Sequence, residues 1–506
     1  MTLISGTDPR TGESLPPVSE VTTSIEVDEI ACAAGIAAES LSALDRNARA
    51  NLLEAIATSV EKHRTELVST AAQETGFASA KLEGELTRAA FQFRFFAEVL
   101  REGSYIEATI DHAGDTPMGP RPDLRRILIP LGAVAVFGAS NFPFAFSVLG
   151  GDTASALAAG NPVVVKAHSS HPATSLQSHR VIVEALDGIG APAGTIGIVY
   201  GTQAGADLVA HPAIKAVGFT GSLSGGQALI DIIATRDEPI PFYGELSSLN
   251  PVVVTPAAAK ERSVAIGTAL VASFTIGSGQ LYTKPGFILI PEGDDGDKLL
   301  EAARSALQTT ESHILLNDRI YSTYIRETEK LSTVDVFHVS KAPQYCGQGF
   351  AVTPILFEAS IDELNLSLIE EVFGPVVIVA RYAPENLESV FAYVLSSFPA
   401  SLTATLHTSD GEEAVETTLS NLATARAGRI VFNGFPTGVA VSWAQTHGGP
   451  WPASNSTHSS VGATAIRRFV RPITFQNAPQ HILPVELRDN YTSIPRRIDG
   501  VLQISC

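Results

Sequence analysis

Apolar residues recur at helical spacing early in the chain. Leu52, Leu53, Ile56 and Val60 share one face of the stretch from Arg46 to Thr75, and Lys81 to Leu100 keeps the same rhythm. The first hundred residues therefore read as packed helices. From Ala133 the rhythm changes to short β-branched runs separated by helical stretches: Ala133 to Phe137, PVVVK at 162–166, TIGIVY at 195–200, IKAVGF at 214–219 and PVVVT at 251–255. Strands buried on both faces read as continuous apolar runs, so this texture predicts a parallel sheet covered by helices. A second α/β half runs from Asn250 to about Gly448, with GFILI at 286–290, VVIVA at 376–380 and GRIVFNG at 428–434 as its strands. Between the early helices and the first parallel strand lies Ser104 to Arg126, polar and containing prolines. Near the end comes another strand-like piece, Phe469 to Gln476; these two pieces are expected to pair in a small separate sheet.

Ile127 to Gly151 carries no charged residue and is long enough to cross a bilayer. Pro130, Asn141 and Pro143 interrupt it, so it reads as a buried strand, a loop and the start of a helix. Composition agrees with a large globular body: 506 residues, 45% hydrophobic and 17% charged, enough for two or three domains. A formal net charge of -19 excludes nucleic acid and anionic membrane surfaces as expected partners. Cys32, Cys346 and Cys506 are scattered, with no CxxC pair and no metal-ligand spacing, which fits a reducing cytoplasm and no bound metal. The opening MTLISGTDPRTGES has neither the basic region nor the apolar core of a secretory signal.

Several motifs follow one another in a fixed order: FGASNFPFAF (137–146), PVVVKAH (162–168), GFTGS (218–222), GELSSLNP (244–251), GSGQLYT (277–283), EEVFGP (370–375), NGFPTG (433–438) and HGGPWPAS (447–454). Together they resemble the aldehyde dehydrogenase superfamily. GGDTASALAAG (150–160), PIPFYGEL (239–246) and AIRRFVRPITFQN (465–477) are similar, more narrowly, to the branch that oxidises α-ketoglutarate semialdehyde. The resemblance covers nearly the whole chain. It implies an α/β fold with a Rossmann-type NAD(P)-binding domain over residues 1–103 and 127–246, and an α/β catalytic domain over 247–462. It further implies oligomerisation strands in 104–126 and 463–480, a C-terminal tail from 481 to 506, and a homodimer or homotetramer acting on a small aldehyde.

What the resemblance implies for single residues can be set beside what each residue suggests alone. Asn141 matches the amide that holds the oxyanion formed when a thiolate attacks the aldehyde, a neutral donor aimed at transient charge; alone, an Asn before an aromatic and Pro143 is a turn residue. Glu245 matches the general base, whose pKa burial would raise into a useful range; alone it is a solvated strand-end carboxylate. Gly221 and Ser222 match the pyrophosphate contacts at a helix N-terminus, although a serine-capped turn would look the same. Glu371 and Phe373 match the residues that hold the nicotinamide ribose and ring. Lys166 matches the lysine that bonds the adenosine ribose, and alone it is a surface charge at a strand end. NAD-preferring members commonly carry a glutamate three residues after it; here the position is Ser169, following His168. With no carboxylate to repel a 2′-phosphate, and with Lys166 and His168 to attract one, NADP is the expected cofactor, with NAD also possible.

One position departs from the family. Gly279, Gln280, Leu281 and Thr283 keep the frame of its nucleophile motif, but Tyr282 stands where the cysteine belongs. A free thiol is a few per cent ionised at neutral pH, a phenol only about 0.1%, and phenolate is the poorer nucleophile toward carbonyls. Lys284 is placed to lower the phenol pKa, and a tyrosine nucleophile has precedent in sialidases. The branch also typically carries an arginine near His458, so a dicarboxylate-like substrate would be held less firmly; Arg467, Arg468 and Arg471 read as supports of the oligomer strand. Three functions follow as expectations: NADP-linked oxidation of a carboxylate-bearing semialdehyde with impaired turnover, a non-catalytic NAD(P)-binding protein or scaffold, and hydrolysis by water that Glu245 activates.

Overall fold

The computed structural model describes residues 2–344, 347–436 and 438–504. Cys346 and Cys506, two of the three thiols, and Thr437 within NGFPTG lie outside them. Three sheets organise the chain. The first has five parallel strands in the order Phe242–Glu245, Ile214–Thr220, Ala133–Phe137, Val163–Lys166, Ile196–Val199. The second has seven, in the order His338–Lys341, Ile355–Ser360, Val376–Tyr382, Phe287–Pro291, Pro251–Val254, Ser401–His407, Ala427–Phe432, parallel except for its first member. PVVVT thus belongs to the second sheet. Helices cover both sheets, and the inner strands Ala133–Phe137, Pro251–Val254, Phe287–Pro291 and Ser401–His407 are buried on both faces, as their apolar runs require, while the edge strands stay partly exposed.

The third sheet joins Val470–Gln476 to Leu124–Pro130 in antiparallel register, then Thr109–Asp111, Arg496–Ile498 and Val501–Gln503. Two sequence expectations change here. Its second strand runs on to Pro130, past the expected boundary at 126, and residues 481–506 are no mere tail, since they supply two of its strands. The first hundred residues are not helical throughout either: a hairpin of Leu3–Asp8 and Glu13–Glu20 comes first. Helix Ser24–Ser42 follows, then Arg46–Lys62 and Arg64–Thr75, which break at His63, and then Ser79–Glu102. No described helix is long and apolar enough to cross a membrane.

Within the charge-free stretch, strand Ala133–Phe137 is followed by an irregular loop and then helix Gly151–Ala159. The loop closes on itself through Ala139 N–H to the Phe146 carbonyl at 2.8 Å. Buried Glu85 anchors it, accepting from the N–H groups of Phe144 and Ala145 at 2.8 and 3.0 Å.

Candidate active site

The C-terminal ends of the first sheet's strands open on a cleft of about 330 Å3, where a doubly wound sheet presents its ligand sites, and segments that precede strands of the second sheet form its other wall. His168, Gly221, Ser222, Tyr282, Glu371 and Phe373 all line it. Lys166 and Ser169 line an adjoining cavity of about 290 Å3 that also touches His168. Asn141 and Glu245 are buried beside the cleft rather than on its wall.

Helix Leu223–Ala234 starts at the cleft, capped by Ser222, whose Oγ accepts from Gly225 N–H at 3.2 Å. Its free N–H groups and the Ser222 and Ser224 hydroxyls suit a phosphate. Opposite stands Arg319, which the sequence reading did not single out. It lies in the first turn of helix Asp318–Ser332, and that helix is docked by Asn317 Nδ2 donating to Ser170 Oγ at 2.7 Å. Arg319 is exposed and has no ion-pair partner among the described residues. Its charge, after burial, lowers the pKa of Lys166. His168 needs a correction: burial, then His171, Lys166 and Arg319, push its pKa well below the usual histidine value. Its ring stacks on His171 at 5.4 Å. His168 is therefore neutral at pH 7, and positive charge in this part of the cleft comes from Lys166 and Arg319.

Tyr282 follows a turn of left-handed residues, Gly277, Ser278 and Gly279 at φ 59, 61 and 67°. A side chain at Gly279 would meet the Gly374 backbone at 2.2 Å, so only glycine lets this turn pack against the EEVFGP segment. Asn250 ties the turn down. It has φ 53°, donates through Nδ2 to the carbonyls of Tyr282 at 2.5 Å and Lys284 at 3.0 Å, and accepts on Oδ1 from Ser248 Oγ at 2.7 Å and Thr403 N–H at 3.1 Å. GELSSLNP thus contains a structural asparagine that motif matching alone did not reveal.

The Tyr282 ring faces Phe373, with centroids 6.3 Å apart, and its hydroxyl has no hydrogen-bond partner among the described residues. Burial first, then the charges of Glu371 and Glu245, hold its pKa well above the ordinary phenol value. The expectation that Lys284 would lower it fails. Lys284 points away into the protein, donating through Nζ to the Val376 carbonyl at 2.8 Å, and its charge acts on Glu371, whose Oε2 accepts from Ser248 N–H at 3.0 Å. Burial lowers the lysine pKa and raises the glutamate's.

Glu245 ends its strand almost fully buried. Burial raises its pKa to about 8, against the opposing effects of Arg468 and a 2.9 Å hydrogen bond from Ser454 Oγ. Arg468 is no strand support: it is fully buried, paired with Asp152 and lying over the Tyr243 ring. Asn141 donates through Nδ2 to the Gln280 carbonyl at 2.5 Å, which engages one of the two amide N–H groups expected to hold an oxyanion. Cys32, the only described thiol, lies on the surface helix Ser24–Ser42, 4.0 Å from His211, and is not among the residues lining the cleft.

The family model for the aldehyde dehydrogenase family matches residues 2–471. The chain belongs to the aldehyde dehydrogenase family. It is 42% identical to an α-ketoglutaric semialdehyde dehydrogenase of Acinetobacter baylyi, over 94% of this chain and 91% of that protein. It is likewise 42% identical to α-ketoglutaric semialdehyde dehydrogenase 2 of Azospirillum brasilense, over 97% and 95%. The succinic semialdehyde dehydrogenase of Streptococcus pyogenes shares the aldehyde dehydrogenase fold at 17% identity, with a TM-score of 0.79 over 93% of this chain and 99% of that one.

Proposed function

We propose that this aldehyde dehydrogenase relative binds NADP and a carboxylate-bearing semialdehyde of the α-ketoglutarate semialdehyde type, and that Tyr282 leaves it little or none of the family's thiol-based oxidation. NADP, when bound, supplies a hydride acceptor. The phosphate side of the cleft suits it: a helix N-terminus, two serine hydroxyls, Lys166 and an unpaired Arg319, with Ser169 where a carboxylate would repel a 2′-phosphate. The semialdehyde class is supported by the two relatives at 42% identity.

A single observation carries the loss of oxidation. The phenol at position 282 lines the cleft opposite Phe373, and its surroundings raise its pKa instead of lowering it. Glu245, at about 8, is mostly protonated at neutral pH, which also disfavours the hydrolase reading below that pH. The test is NADPH absorbance with a panel of semialdehydes, for wild type beside Tyr282→Cys. Turnover should rise by on the order of a hundredfold or more in the variant; wild-type turnover equal to that of Tyr282→Cys would refute the reading. NADP binding is tested separately by thermal shift, since ligand at 100 times its Kd adds about 2.7 kcal/mol. The open edge strands Val470–Gln476, Val501–Gln503 and Ala427–Phe432, the last ending in exposed Phe432, support a homodimer or homotetramer. Light scattering of the purified chain would report a monomer if that is wrong.

A further inference from the structure

Arg88 flanks the Asn141 loop with part of its guanidinium unused. It projects from helix Ser79–Glu102, with its guanidinium carbon 4.8 Å from the centre of the Phe146 ring. Nη2 donates to the Val439 carbonyl at 2.9 Å, while Nη1 is buried without a hydrogen-bond partner. A buried charged donor lacking an acceptor is costly, and native structures tolerate one chiefly where something else supplies the acceptor.

The local charges do not balance. Glu85 is the carboxylate whose charge acts on Arg88, but its Oε1 is taken by the loop N–H groups and its Oε2 lies 3.6 Å from Lys81 Nζ. Two cations therefore share one carboxylate, and burial favours that carboxyl's neutral form. Arg88 itself, at about 10, stays charged at neutral pH. Across the Phe146 ring, 6.2 Å away, lies the ring of His447, which burial and then Arg429, Arg88 and Arg468 keep neutral. Nη2 of Arg429 is also buried and unpartnered. Glu85 Oε2 and Asn141 Oδ1 are also buried without hydrogen-bond partners on this flank, but neither reaches Arg88 Nη1, which is left without an acceptor.

We propose that Arg88 receives the distal carboxylate of the substrate, donating from Nη1 while Nη2 remains on Val439. The assignment rests on the reading of the ligand as a carboxylate-bearing semialdehyde, and it names the residue that selects for that class. Phe146 orients the planar guanidinium, which matches a carboxylate better than a lysine ammonium does. Because Ala139 and Phe146 close one loop around Asn141, the same segment spaces the carboxylate end of the ligand from its carbonyl end. An aldehyde without a carboxylate leaves Nη1 unpaired and is disfavoured.

The experiment is calorimetric binding of α-ketoglutarate, glutarate and butyrate to the full chain, with NADP as a control ligand, for wild type, R88Q and R88K. Wild type should bind both diacids and discriminate against butyrate. R88Q should bind the diacids at least tenfold more weakly with its NADP Kd unchanged, and R88K should fall between. R88K keeps the charge, so it carries the test if R88Q does not fold. Diacid binding by R88Q within twofold of wild type overturns the assignment alone, as does equal weakening of NADP and diacids in both variants, which would mark a structural role. A wild type that binds neither diacid overturns the substrate-class reading and this assignment together.

Discussion

Ser454 Oγ donates to Glu245 Oε2 at 2.9 Å, holding from one side the carboxyl that the family motif assigns as base. That bond favours the ionised form, while burial disfavours it more strongly and leaves the pKa at about 8. A base works when deprotonated, so turnover of Tyr282→Cys should rise as pH increases through about 8. Adding Ser454→Ala should move that rise to higher pH by about one unit, the equivalent of a charge-assisted hydrogen bond of roughly 1.5 kcal/mol. A pH profile of the two variants decides it; an unmoved or acid-shifted limb would mean that Glu245 is not the group titrating.

Arg319→Ala should weaken NADP binding severalfold and leave NAD nearly unchanged, because the 2′-phosphate is the group that the two cofactors do not share. His168→Gln should alter neither, since His168 is already neutral at pH 7. Fluorescence titration with both dinucleotides at two salt concentrations measures this, and the NADP preference should shrink as salt rises. Equal losses for NAD and NADP would place Arg319 on the pyrophosphate instead.

Lys284→Met removes the cation that opposes the raised pKa of buried Glu371. Breaking a buried charge pair on one side costs about 3 kcal/mol or more, readable as a lower urea midpoint. The sign with pH follows from the carboxyl. Its folded pKa already lies above its unfolded one, and losing the lysine raises it further, so the penalty relative to wild type opens as pH rises through the wild-type folded pKa, where only the wild-type carboxyl ionises. The variant should therefore lose less stability at pH 5 than at pH 8.

Asn250→Ala should cost about 2 to 4 kcal/mol. It deletes bonds to the Tyr282 and Lys284 carbonyls and to Thr403, and it puts alanine at φ 53°, a left-handed backbone that asparagine tolerates better. Asn250→Asp, which keeps the acceptor and loses the donors, should fall between in the same denaturation experiment.

The chain's apolar rhythm determined much by itself. The short apolar run at 133–137, broken off by the glycine and proline that follow, read as a buried strand, and helical spacing marked 46–75 and 81–100, because burial leaves a pattern that sequence records directly. Residue order likewise set which short segments belong to cofactor, base and nucleophile positions, and put tyrosine at 282. What sequence does not record is the set of neighbours reaching each side chain from distant segments. Only tertiary structure neutralised His168 by burying it, beside the charges of His171, Lys166 and Arg319, turned Lys284 toward Val376 and away from the phenol, and buried Arg468 against Asp152. Only it brought residues 496–503 into a sheet with 109–111. Protonation state and donor supply depend on desolvation and on charges brought together from far along the chain, so they arise only when the segments meet.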